Sequence, residues 1–309
     1  MWIHLMDPDG VGYGVRHTNN RPEVIVNTGS LTVSVVAINA PTVFSGYVDS
    51  TGVQHGYIDN AGAPQICAQT YLQAVAEGDI AGHSLTEKIG YAPSITTTQS
   101  DIWSKGGNYT FPSTGLRMSV SSGSTSDNAS SSGAIQVTVY YLDTSWISKT
   151  EIVNLNGIVA VTTVASDIYR INGFRVTSAG STGVCAGALS LYSGATNYGW
   201  ITAGFTRARN SCYTVPSGSS LYITSFSMGW GYKSNSTHYA RIILRATQNE
   251  GIRTPGIFYP IAEVIVSNGT NHIDLQGPRK IAQKTDIKMS GISTFTEGEA
   301  ITVMRGWLE

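Results

Sequence analysis

The chain has 309 residues and a formal net charge of −1, with 41% hydrophobic and only 13% charged residues. With no basic run longer than Arg279-Lys280 there is no electrostatic footprint for nucleic acid, and no apolar stretch reaches the ~18 residues that cross a membrane as a helix. The charged share is about half the usual ~25%, and Gly, Ser, Thr and Asn stand in its place; these fill strand faces and tight turns, whereas helix exteriors take Glu, Lys and Arg, so an all-β protein is expected.

A length beyond roughly 250–300 residues points to two or three packed units. The 34 glycines recur at the ~8–12-residue spacing of turns in sandwiches and barrels. Residues 1–65 carry a small repeat: Met6-Asp7-Pro8-Asp9-Gly10-Val11, Val48-Asp49-Ser50-Thr51-Gly52-Val53 and Ile58-Asp59-Asn60-Ala61-Gly62-Ala63. Each reads as a turn in which the Asp carboxylate accepts backbone N–H groups and the Gly takes the left-handed position. Calcium on Asp7 and Asp9 lacks the further oxygen ligands of a loop motif. Leu31–Ile38 alternates as a strand. The region therefore reads as an N-terminal β-hairpin arm, too poor in apolar residues to fold without a neighbour. Its first residues show neither a basic n-region nor an apolar h-region, so no secretion signal is expected.

Residues 66–92 break the strand pattern and are expected to form a helical connector. Cys67–Glu77 predicts a helix with Leu72, Val75 and Ala76 on one face, ended by Gly78. Asp79–Gly90 continues the connector.

Two jelly-roll-like β-sandwich units are expected next, at 93–206 and 207–309. Ile135–Leu142 and Glu151–Gly157 alternate in the first, and Ser220–Phe226, Ala240–Ala246, Ala262–Val266 and Ile301–Met304 in the second. Within Ala240–Ala246, Arg241 and Arg245 share one face and Ile242 and Leu244 the other. The polar run Ser121–Gly133 reads as a surface loop. Val215-Pro216-Ser217-Gly218 has the residues of a turn and is expected as the hinge between the units. The basic groups Arg207/Arg209 and Lys284/Lys288 are expected on solvated strand faces.

Motifs that carry chemistry are missing. There is no Gly-x-Ser-x-Gly elbow, and His4, His17, His55, His83, His238 and His272 show no metal-ligand spacing. His83 near Asp79 reads as a connector hydrogen bond. Cys67, Cys185 and Cys212 are odd in number with no Cys-x-x-Cys, which predicts free, mostly buried thiols. Asp143, Glu151 and Asp167 fall in one unit, where a glycosidase would need a carboxylate pair, but Asp143 follows a strand and reads as a turn cap. Gly10-x-Gly12-x-Gly14 and Gly180-Ser-Thr-Gly183 lack the Lys-Ser/Thr of a phosphate loop and read as turns. The 16 tyrosines and six tryptophans read as strand packing ahead of a sugar platform. No catalytic, cofactor or metal site is expected, and the chain reads as non-enzymatic.

The run Asp101-Ile-Trp-Ser-Lys-Gly-Gly-Asn-Tyr-Thr-Phe-Pro112 resembles the start of a domain shared by poorly characterised virion proteins of tailed, often marine, bacteriophages. The likeness takes in Ala76–Leu85, Met118–Ser122, Tyr141–Asp143, Val153–Gly157, Asp167–Asn172, Arg175–Gly180, Tyr213–Gly218 and Lys284–Ile287. It implies a structural component of the virion, made in the host cytoplasm and placed outside as a head decoration or a tail, collar or fibre adaptor. The partners so implied are other virion proteins and further copies of the chain; the low surface charge also favours a homo-oligomer, a trimer being the first expectation, with residues 1–65 as the docking arm. The alternative is a carbohydrate-binding sandwich whose partner is a host surface glycan.

Overall fold

The computed structural model describes residues 71–232, 237–249 and 256–309, Gln276 by its backbone alone, together with six strands within residues 1–70. The chain divides into two compact units, 1–69 and 70–309. In the first, β1 (Ile3–Met6), β2 (Gly12–Thr18) and β3 (Arg21–Val26) form one antiparallel sheet, and β4 (Ser45–Val48), β5 (Gln54–Asn60) and β6 (Ala63–Gln65) another. Each of the three Asp-x-x-Gly repeats joins an antiparallel pair: β1 to β2, β4 to β5, and β5 to β6. The turn residues themselves, the Asp7/Asp9 pair, Cys67 and the strand expected at Leu31–Ile38 lie outside the described residues.

The second unit opens with helix α1 (Tyr71–Glu77). Gly78, at φ +81°, closes it: its N–H reaches Val75 O at 3.2 Å while Asp79 N–H reaches back to Ala74 O at 2.9 Å. This left-handed cap is open to glycine at no steric cost. Of the expected apolar face only Val75 is buried. Of the rest of the expected connector, residues 78–83 are turns, but Ser84–Ala92 is strand β7, which the adjacent Glu87 and Lys88 had disguised.

From there on every described element is a strand. It runs through β8 (Ser100–Asp101), β9 (Ser119–Ser122), β10 (Ala134–Leu142), β11 (Ser148–Asn154), β12 (Val161–Thr162), β13 (Arg170–Ala179), β14 (Leu189–Ser193) and β15 (Thr196–Ile201). It continues through β16 (Tyr213–Thr214), β17 (Leu221–Gly231), β18 (Ala240–Gln248), β19 (Tyr259–Val266), β20 (Gly269–Ile281), β21 (Thr285–Ser293) and β22 (Glu299–Leu308). Four antiparallel sheets result, in two face-to-face pairs.

One pair is β20-β17-β22-β7 against β16-β21-β18-β19, with β8 also on β21. Asp101 of β8 lies opposite Ser290, and Tyr213 of β16 opposite Ile287, so the two short strands follow one another along the same edge of β21. They are two halves of one strand. Counted that way the sandwich has eight strands, ordered sixth-third-eighth-first in one sheet and second-seventh-fourth-fifth in the other. That is the strand order of a jelly roll. Its core joins Ile223, Phe226, Met228 and Met304 from one sheet to Ile242, Leu244, Ile287 and Met289 from the other.

The second pair, β11-β10-β13 against β12-β9-β14-β15, is inserted whole between the two halves of the interrupted strand. Its core is Val137, Val139, Phe174, Leu189 and Leu191 with their neighbours. The expected division into consecutive sandwiches at 93–206 and 207–309 is therefore replaced by nesting, with 84–101 completing the C-terminal sandwich. Long-range strand pairing fixed this, and it leaves no trace in a linear pattern. The expected hinge at Val215–Gly218 is instead a turn between β16 and β17, anchored to the insert by Ser217 N–H on Trp146 O at 2.9 Å.

Candidate functional site

The insert leaves the jelly roll after Asp101 and returns at Tyr213, and the segments crossing there are stitched together. Ile102 N–H bonds Met289 O at 2.9 Å, and Ser211 N–H bonds Ile102 O at 3.1 Å. Asp101–Pro112, the run that carries the resemblance most clearly, is this crossing. Ile102 enters the jelly-roll core. Trp103, Tyr109 and Phe111 stack edge to face beside the buried Cys212. Tyr109 donates its hydroxyl to Tyr198 O at 3.2 Å.

Two buried carboxylates anchor the junction. Asp101 accepts from Lys288 at 2.8 Å, Arg245 at 3.0 Å, Ser290 Oγ at 2.6 Å and the Tyr109 N–H at 2.8 Å. Asp286 takes the Arg170 guanidinium in a two-pronged grip at 2.9 and 3.1 Å, and also accepts from Thr214 Oγ1 and Asn249 Nδ2. Arg170 belongs to the insert and Asp286 to the jelly roll. The same guanidinium donates to Pro112 O at 2.6 Å and lies over Tyr169. Beside it, Asn172 and Thr214 exchange two 2.8 Å hydrogen bonds. Asp286, Lys288 and Ser290 alternate along β21 with the core residues Ile287 and Met289, so the polar face of that strand is buried beneath the insert. Lys288 is consequently not on a solvated face as expected; covering by the inserted sandwich is the reason.

A cleft of about 470 Å³ opens beside this junction, between β7 and the β11-β10-β13 sheet. It is lined by four cations, Lys88, Lys149, Arg175 and Arg207, and one carboxylate, Glu87. Lys149 bridges Asp143 and Asp167 at 2.9 Å each, and the two carboxylates raise its pKa. Glu87 is engaged by Arg305 at 3.1 Å, with Arg207 at 4.0 Å. Lys88 and Arg175 differ. The Lys88 ammonium donates to the backbone carbonyl of Asn172, and burial pushes its pKa down to about 8. Arg175 lies over the Tyr140 ring at 4.4 Å and donates to its hydroxyl. Tyr140 sits on Gly173, where an added Cβ would come within 3.1 Å of the ring.

A second cleft, of about 850 Å³, lies at one end of the jelly roll, with Trp230, Tyr232 and Phe295 in its wall and Glu297, Glu299 and Asn268 at its rim. Trp230 and Tyr232 are 4.5 Å apart, and Arg209 is clamped between Tyr91 and Phe205 at 3.9 and 4.0 Å. Trp230 is buried, so its ring is part of the core rather than an open platform.

The carboxylates singled out in the sequence do not converge on a cleft. Asp143 caps its turn, accepting from Ser145 N–H at 2.8 Å and Ile147 N–H at 3.0 Å. Burial acts to raise its pKa, but those N–H groups and Lys149 outweigh it and hold the pKa low. Glu151 accepts from the Val164 and Ala165 N–H groups. His83 bonds Ala81 O at 3.0 Å. Gly180–Gly183 is a turn, with Gly183 at φ +68°. Cys185 and Cys212 are buried free thiols, and burial raises the pKa of both. Among the described residues no group of three or more His, Cys, Asp or Glu is placed to hold a metal ion.

Sequence reasoning missed Asp127, Asp101 and Asp286. The run Ser121–Gly133, read as a surface loop, wraps around a fully buried Asp127, which accepts from Ser122 Oγ at 2.5 Å and from the N–H groups of Ala134, Ala186 and Gly187 at 2.7 to 2.9 Å. A lone Asp inside a Ser-rich run carries no periodic signal.

No protein-family model and no curated protein matches the chain. Among solved structures, that of the Gx strain of infectious bursal disease virus aligns over 74% of this chain and 77% of its own, at 12% identity and a TM-score of 0.19. The VP2 subviral particle of infectious bursal disease virus aligns over 74% and 77%, at 12% identity and a TM-score of 0.14. At scores this low nothing about the present chain follows from them.

Proposed function

We propose that this chain is a non-enzymatic structural component of a tailed-phage virion, placed on the outside of the particle as a head decoration or a tail, collar or fibre adaptor. The observation that carries the reading is the jelly roll with a second sandwich nested in one of its strands. Jelly rolls recur in capsid and lectin domains, and the step from fold to role is one of analogy. The residues that carry the resemblance support it further, because Asp101–Pro112, Arg170, Asn172, Thr214 and Asp286 meet at the junction and hold the nested architecture together. Ile152 on the edge strand β11, and Ile158, Val159 and Val164 flanking the edge strand β12, are all more than half exposed and favour self-association.

Antibody against the chain, applied to purified intact particles and viewed by electron microscopy, should label their exterior at a regular position. Particles that carry no label, and whose protein lacks the chain by mass spectrometry, would overturn the reading.

A further inference from the structure

The buried cations of this protein set a standard that Lys88 does not meet. Arg170, Arg245 and Lys288, buried or nearly so, each hold a carboxylate at 2.8 to 3.0 Å. That is what burial demands, since a charge taken out of water without a counter-charge is costly. Lys88 and Arg175 line one cleft, and among the described residues neither has a carboxylate partner. Lys88 faces a carbonyl and the Tyr213 ring at 5.4 Å; Arg175 faces a phenol. Of the other charges at the cleft, Lys149 is matched by two carboxylates, while Arg305 at 3.1 Å and Arg207 at 4.0 Å share the single carboxylate of Glu87. What is left over is positive charge facing an open space.

The remainder of the lining fixes what kind of anion would fit. Ser148, Thr150 and Asn210 add polar groups to the lining, and Ile89, Pro216 and Leu308 give apolar surface. A volume of about 470 Å³ lies in the range of small-molecule sites, roughly 300–1,000 Å³, and is too confined for a folded partner. A planar guanidinium grips a carboxylate through two parallel N–H bonds. We propose that this cleft binds an acidic sugar, its carboxylate on Arg175 and Lys88 and its ring hydroxyls on Ser148, Thr150 and Asn210. The site does not depend on the chain being a particle component, and the isolated protein tests it.

Full-length protein is titrated with D-galacturonic acid, N-acetylneuraminic acid, D-galactose and sodium sulfate, followed by calorimetry and by saturation-transfer NMR at pH 7. At least one acidic sugar should bind, with galactose at least tenfold weaker. Arg175→Ala, an exposed position, should weaken the acidic sugar at least tenfold with an unchanged melting curve, and Ser148→Ala together with Thr150→Ala should weaken it severalfold. Neither acidic sugar binding, or galactose binding equally well, overturns the proposal. So does sulfate matching the acidic sugar, which would leave a bare anion site, or affinity indifferent to Arg175→Ala, which would put binding elsewhere.

Discussion

Among the described residues no ion pair reaches Asp127, yet four donors converge on its carboxylate and three of them are backbone N–H groups, from Ala134 at the start of β10 and from Ala186 and Gly187. Removing the carboxylate leaves those N–H groups buried and unmet, at roughly 1–3 kcal/mol each. Asp127→Ala should therefore cost at least ~3 kcal/mol in denaturant unfolding, far more than a surface-loop position would. Lys88 makes the opposite case, a charge the fold disfavours. Burial, aided by nearby Arg207, lowers its pKa from 10.5 to about 8. Below pH 8 both folded and unfolded chains hold the proton, and the burial cost is fully present. Between about pH 8 and 10 the unfolded chain binds a proton that the folded chain does not, so stability rises with pH in that window. Lys88→Met should abolish that rise while gaining stability at pH 7, by at most ~3 kcal/mol given the solvent access Lys88 retains. Parallel urea curves at pH 7 and pH 9.5 measure it, and a wild-type pH dependence identical to that of the variant would refute it.

At the level of elements, the alternating strands were legible because the apolar period of two survives wherever one face is wet: β22 buries Ala300, Thr302 and Met304 and turns Glu299, Ile301 and Arg305 outward. β21 broke the rule. Its Asp286, Lys288 and Ser290 look solvent-facing in sequence but are sealed by the insert, and no local pattern announces that another sandwich will cover them. For the same reason the nesting was illegible, since β8 and β16 are two-residue strands with 111 residues between them, joined through β21. Of the candidate site, Asp143 was readable from its place after a strand, whereas Lys88 and Arg175 acquire meaning only when β7 and β13 face one cleft. The Arg170–Asp286 pair is the fastener between the sandwiches. Arg170→Met should cost about 3–5 kcal/mol, as breaking one partner of a buried pair does, and Asp286→Asn in the same background should cost much less than it does alone. Additive costs in that double-mutant cycle would show that the pair does not couple the two sandwiches.

For the whole molecule, the two compact units assign different roles to different lengths of chain. Residues 70–309 hold both cores, with the large buried set from Val75 to Trp307, while residues 1–69 form a separate unit of two three-stranded sheets. A unit below roughly 70–80 residues rarely holds enough core to stand alone and is commonly completed by a partner. The proposed role makes the first unit the docking arm and the second the rigid body it carries. A chain cut to residues 70–309 should thus unfold in one cooperative step close to the full-length midpoint, and should keep the oligomeric state, expected to be a trimer, if the exposed edge around β11 makes the self-contact. Native mass spectrometry and scanning calorimetry read these two outcomes. Expressed during infection in place of the full chain, it should remain soluble and be missing from purified particles. Truncated protein recovered on particles at the normal copy number would place attachment in the sandwiches and remove the arm from the assignment, while leaving the nested fold untouched.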